Sequence, residues 1–123
     1  MAIARLQLAA LDCPDPLALA EFYSAITGWA VRPPSSDDSG WVQLVSDAGV
    51  TLAFQRVDDY RAPEWPGQGM PQQAHLDFAV EDLAEGERAL GRLGISRHAV
   101  QPEPEAFLVF LDPAGHPFCL VRE

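Results

Sequence analysis

Two hydrophobic periods alternate along this chain, and the order in which they come repeats. IARLQLAALD, residues 3–12, has the pattern of a β-strand. In the CPDP that follows, Asp15 is placed to cap a helix and Pro16 fits its first turn. Leu19, Phe22, Tyr23 and Ile26 then recur at i, i+3, i+4 and i+7, which predicts an amphipathic helix ending at Gly28. A short strand over Trp29–Arg32 and a polar turn, PPSSDDSG, lead into a hairpin. Its strands are WVQLV and VTLAFQRV, joined by SDAG.

Residues 58–72, DDYRAPEWPGQGMPQ, are rich in Pro and Gly and read as a linker. Tyr60 and Trp65 are unusual in a free tether and are expected to pin the segment against the domain or a second subunit. The first order of elements then returns. AHLDFAVED is a strand, Asp82 caps a helix with Glu85 three residues on, and Leu83, Gly86, Leu90 and Leu93 mark its inner face before Gly94. ISRHAV predicts a short strand and AFLVFLDPAGHPFCLVRE a second hairpin. Asp82 lies 67 positions after Asp15, and the same offset sets His75 opposite Leu8. The AG pairs of the two hairpins are offset by 66, as a one-residue loop deletion would leave them. The expected fold is therefore α+β: two tandem β-α-β-β-β modules, about 1–57 and 73–123, in one domain.

Composition narrows the chemistry. The chain has 123 residues, 48% of them hydrophobic and 21% charged, ordinary for a globular domain. Acidic residues outnumber basic ones 18 to 8, a net charge of −10, which disfavours nucleic acid and anionic lipid as partners. No apolar run is long enough to span a membrane and no signal-peptide layout opens the sequence, so a cytoplasmic location is expected. All 8 basic residues are Arg; without Lys, neither a Schiff base nor a Walker-type phosphate loop can form. Cys13 and Cys119 have no metal-finger spacing and read as buried thiols.

DCPDPLALAEFYSAITGW, HLDFAVEDLAEGERALGRLG and FLDPAGHPFCLV together resemble the vicinal oxygen chelate superfamily. This is the group of glyoxalases, bleomycin-resistance proteins and extradiol dioxygenases. The resemblance covers nearly the whole chain and implies two modules curled into a half-barrel cleft, commonly in a homodimer. It also implies a divalent metal in many members and none in others. The family's ligand positions fall on Leu8, Ala53, His75 and Cys119, of which Leu8 and Ala53 cannot ligate. One His and one thiol are too few donors for a hard cation. No metal and no other cofactor is expected, with His75 the ligand if there is one. A one-residue shift in register would put Gln7 in the place of Leu8, and Gln55, Asp77 and Gln73 are further candidate donors.

Strand alternation turns Ala74, Leu76, Phe78 and Val80 towards the helix and His75 and Asp77 to the opposite face. By the repeat, Leu8, Ala10, Thr51, Ala53, Gln55, Cys119 and Val121 share that face, with Trp41 at its entrance. The expected ligand-binding residues are His75, Asp77, Gln55, Ala53, Leu8, Cys119 and Trp41. His75 and Asp77 are the candidate catalytic pair, since a carboxylate beside an imidazole raises its pKa; the plainer alternative is a solvated pair. His116 is expected to serve its turn, and His98 to lie on an edge strand. The leading expectation is a metal-independent small-molecule binder, in the way bleomycin-resistance proteins sequester a cationic drug. The alternatives are a metal-dependent lyase, isomerase or dioxygenase using His75, and an interaction module docking through Trp65.

Overall fold

A computed structural model describes residues 2–32 and 40–123, which divide into two compact units, 1–60 and 61–123. The expected turn PPSSDDSG lies, but for Gly40, outside the described residues.

In the first unit the elements are β1 (Ala9–Cys13), α1 (Pro16–Thr27), β2 (Ala30–Arg32), β3 (Trp41–Val45) and β4 (Thr51–Arg56). Local chemistry fixes both ends of α1. Asp15 accepts a hydrogen bond from the Ala18 N–H at 3.2 Å, and Pro16 occupies the first turn. At the other end Gly28 adopts φ +75°, where a Cβ is disfavoured, and its N–H donates to the Ser24 carbonyl at 2.8 Å. The strands form one sheet in the order β1-β4-β3-β2, with β1 and β4 parallel and the other pairs antiparallel. Helix α1 covers one face. Leu19, Ala20 and Tyr23 are buried there, as are Val42, Leu44, Leu52 and Phe54 of the sheet, and Tyr23 stacks on Phe54 with ring centroids 5.8 Å apart. Each such large side chain, fully buried, contributes about 1.5–3 kcal/mol.

In the second unit the elements are β5 (Leu76–Val80), α2 (Leu83–Arg92), β6 (Phe107–Leu111) and β7 (Pro117–Arg122), with sheet order β5-β7-β6. Asp82 caps α2 by accepting from the Glu85 N–H at 3.1 Å. The helix lies close on the sheet because Gly86 has no side chain: a Cβ there would stand 2.8 Å from Leu120 Cδ1. Under it Phe118 packs between Phe78 and Phe110 at 6.1 and 5.7 Å.

The strand registers bear out the internal repeat. β1 and β4 align Ala10 with Ala53, and β5 and β7 align Asp77 with Cys119, both as parallel pairs. These residues are related by the same two offsets, 67 and 66, that the sequence shows.

Three expectations need correction. The first strand begins only at Ala9; Ile3 and Leu6, placed in it by their alternation, are almost fully exposed and pair with nothing in β4. ISRHAV is not a strand but a single bridge, Arg97 to Phe110. The Gln101 side chain replaces the missing ladder, donating to the carbonyls of His98 and Val109 at 2.9 and 2.8 Å and accepting from the Val109 N–H at 2.9 Å. The segment read as a linker is also built into the second unit from Arg61 onwards. Trp65 meets the edge of His98 at 5.2 Å, and Gly115 comes so close to Ala62 that a Cβ would lie 2.7 Å from that methyl. Among the described residues, no helix is long and apolar enough to cross a membrane.

Candidate functional site

Each sheet has one face under its helix and one face turned away from it. In the first unit, the open face carries the row Asp12, Gln55, Trp41 across β1, β4 and β3, and beside it Ala10, Ala53, Gln43 and Arg32. Gln55 thus lies next to Trp41, as the alternation predicts, with Trp41 half-buried and Ala53 fully buried. Arg32 donates to Gln43 Oε1 at 3.3 Å. Leu8 is half-buried just ahead of β1. Since Ala10–Ala53 is the counterpart of Asp77–Cys119, the residue equivalent to His75 is Leu8 and not Gln7. Sequence reasoning passed over Asp12, Gln43 and Arg32. Asp12 could have been found from its period-two relation to Ala10.

The open face of the second unit is more polar. Asp77 and Cys119 are direct neighbours across the parallel pair, and His75 stands just before β5 on the same side. His75 Nε2 lies 3.9 Å from Asp77 Oδ1, with the two side chains 41% and 53% exposed. A pair this open and this long contributes below about 1 kcal/mol. Cys119 is different: it is only 6% exposed. Burial, then the Asp77 charge, then hydrogen bonding to the Asp77 carboxylate push its thiol up to about 11, so at neutral pH it holds its proton and is a poor nucleophile. Donor atoms of His75, Asp77 and Cys119 all lie within 4.8 Å of one another. Around them, Val109, Phe107 and Val121 give the face an apolar floor.

The remaining histidines serve structure. His116 Nδ1 is 2.7 Å from Asp112 Oδ2, and Asp112 Oδ1 accepts the N–H groups of Ala114 and His116, both at 2.9 Å, closing the DPAGH turn. His98 accepts the Val100 N–H on Nδ1 at 2.9 Å.

A family model described as a glyoxalase-like domain matches residues 9–121. The chain belongs to that family. This glyoxalase-like domain is 30% identical, over 92% of its length, to the anthracycline biosynthesis protein DnrV of Streptomyces peucetius. It spans only 45% of that relative. Its fold is shared by the fosfomycin resistance protein FosX of Listeria monocytogenes, solved in complex with Mn(II) and sulfate. The TM-score is 0.72 and the identity 19%, covering 98% of this chain and 91% of that one. The antibiotic binding protein TnmS3 of Streptomyces sp. CB03234 superposes with a TM-score of 0.65 at 23% identity, covering 99% of this chain and 98% of that one. The glyoxalase-like, α+β expectation therefore holds.

The superfamily implies a divalent metal held by four strand positions, and the residues here do not fit that set. Leu8 has no donor atom, and Ala53 is a methyl group at 0% exposure. In its place, the second unit has assembled three donors of its own, one of which, Asp77, stands at none of those four positions.

Proposed function

We propose that this glyoxalase-like domain binds an aromatic or amphipathic small molecule on an open sheet face, with no metal needed for binding and without chemistry, as a homodimer in the cytoplasm. The observation that carries the reading is the loss of donors at Leu8 and Ala53, which leaves apolar lining where the family's ligands would stand. A face with an apolar floor and a few polar groups suits such a ligand. Trp41 and Gln55 provide the ring and the amide in the first unit, and His75 and Asp77 the polar groups in the second. The anthracycline biosynthesis relative supports a fused-ring natural product as the ligand class, and the antibiotic binding neighbour supports binding as the role.

The test is a thermal-shift screen of fused-ring aromatics, run in chelator. A true ligand at a hundred times its Kd stabilises the native state by about 2.7 kcal/mol and raises Tm visibly. Silence across the panel, beside a clear shift with Mn²⁺ or Fe²⁺, would sink the proposal in favour of a metal-dependent lyase, isomerase or dioxygenase using His75.

A further inference from the structure

The misfit at the family's metal positions has a positive side. We infer that the second unit carries a zinc-type site of its own, made by His75 Nε2, the Asp77 carboxylate and Cys119 Sγ. All three come from one small sheet, and the first unit contributes none.

Several observations converge on this. The three donor atoms already lie within 4.8 Å of one another, and His75 Nε2 and Asp77 Oδ1 are 3.9 Å apart. Zinc bonds of about 2.0–2.3 Å place neighbouring ligands somewhat closer than that, a gap that side-chain rotation can close. The backbone does the positioning: Asp77 and Cys119 are register partners in adjacent parallel strands, and His75 is two residues from Asp77 on the same face. The approach is open through His75 and Asp77, while the sulfur sits at the buried end, in a residue 6% exposed. Among the described residues, this is the group of three His, Cys, Asp or Glu side chains whose donors come together in this way.

Donor chemistry selects the ion. One imidazole, one carboxylate and one thiolate suit the borderline-soft Zn²⁺, whereas Mn²⁺ and Mg²⁺ call for an oxygen-rich shell. On binding, the Cys119 S–H bond is exchanged for a sulfur–zinc bond and the proton leaves to solvent; no redox change is involved. Three protein ligands leave a fourth tetrahedral position for water or an oxygen of a small molecule.

The zinc site is no part of the proposed function, in which the organic ligand binds without help from a metal. The metal titration uses the whole chain without organic ligand, and the ligand screen uses chelator, so either can fail alone. Chelator-stripped protein is titrated anaerobically with Co²⁺ as an optical stand-in for zinc. The expected result is one Co²⁺ per chain, visible d–d bands of a four-coordinate ion, and a thiolate-to-cobalt charge-transfer band that Zn²⁺ abolishes. Cys119→Ser and Cys119→Ala should both remove the charge-transfer band, with circular dichroism reporting that the fold is kept. Cys13→Ala should leave the band intact, since Cys13 is buried in the first unit and directs its thiol to the Gln55 carbonyl at 3.6 Å. His75→Ala and Asp77→Asn should weaken binding by more than the roughly 10–100-fold typical of losing an outer-shell partner. No charge-transfer band in the unmodified chain would overturn the site. So would a band that survives Cys119→Ala, or Mn²⁺ bound as tightly as Zn²⁺.

Discussion

The Cys119 thiol gives the sharpest quantitative test of the second sheet, because its surroundings act on one titration. Burial and the neighbouring Asp77 carboxylate raise it from 9.0 to about 11 in the folded chain. At pH 8 an ordinary thiol of that starting value is ~10% ionised, and one at 11 is ~0.1% ionised, a ~100-fold loss of thiolate. The same shift enters the stability. Below pH 9 the thiol is neutral in both states and its contribution to folding is complete. As pH rises past 9 the unfolded thiol ionises first, the unfolded state binds fewer protons, and stability falls until the folded thiol ionises too. The loss between about pH 9 and 11 amounts to ~3 kcal/mol.

The assay is alkylation of metal-free protein over a range of pH, with modification at Cys119 read by peptide mass. The rate plateau reports how easily reagent reaches the sulfur, and the midpoint reports its titration, so slow access cannot imitate a raised midpoint. The midpoint should lie near 11. In Asp77→Asn it should move down towards 9 without reaching it, because burial, the largest cause, remains. A Cys119 midpoint at or below 9, or one that Asp77→Asn leaves where it was, would refute the contact between the two side chains.

Two further substitutions probe how the second unit is built. Gly115→Ala should cost about 2–4 kcal/mol in denaturant unfolding, since the residue sits at φ +87° and a Cβ would lie 2.7 Å from that of Ala62; an unchanged midpoint would mean that the 61–72 segment is not packed on the DPAGH turn. Asp112→Ala should cost about 3 kcal/mol by removing a buried carboxylate that accepts two backbone N–H groups and faces His116, leaving those donors without their acceptor; a loss below about 1 kcal/mol would show that the turn holds itself.

What the sequence shows and what it hides divide along the range of the interactions. Both helices are legible to within a residue or two, because Asp15, Gly28 and Asp82 act on groups three or four positions away and Pro16 on its own backbone. The repeat is legible for the same reason, being written twice in local signals. Residues 3–8 alternate like a strand, yet a strand needs a partner, and β4 ends its parallel pairing at Leu52 opposite Ala9. ISRHAV has strand composition but lies before a Pro, and the Gln101 side chain takes the hydrogen bonds that a strand there would use. The linker reading rested on Pro and Gly; the close passage of Gly115 over Ala62 is a contact across more than 50 positions and leaves no trace in composition. Asp77 was legible as a neighbour of His75. That it also faces Cys119 follows from the register of two parallel strands, which no local pattern encodes.

The repeat also explains why the family's metal centre, once absent from the first unit, is not easily regained there. Restoring it takes donors at two positions, 8 and 53, and the second is the harder. Ala53 has no exposed surface, and its cross-strand neighbours on that face are Ala10 and Gln43. A carboxylate placed at 53 without a cation would be desolvated with no positive partner directly across either strand, a cost of several kcal/mol. A donor at position 8 alone, with only an alanine at 53, would hold no ion. Each single step is therefore unfavourable or silent, and only the pair together with a metal is stable. In the second unit the same two positions carry His75 and Cys119, with Asp77 beside the thiol across the parallel pair and the thiol kept neutral while no cation is present. That neutral form lets the donor set stand in the fold without the penalty that a buried charge at 53 would incur.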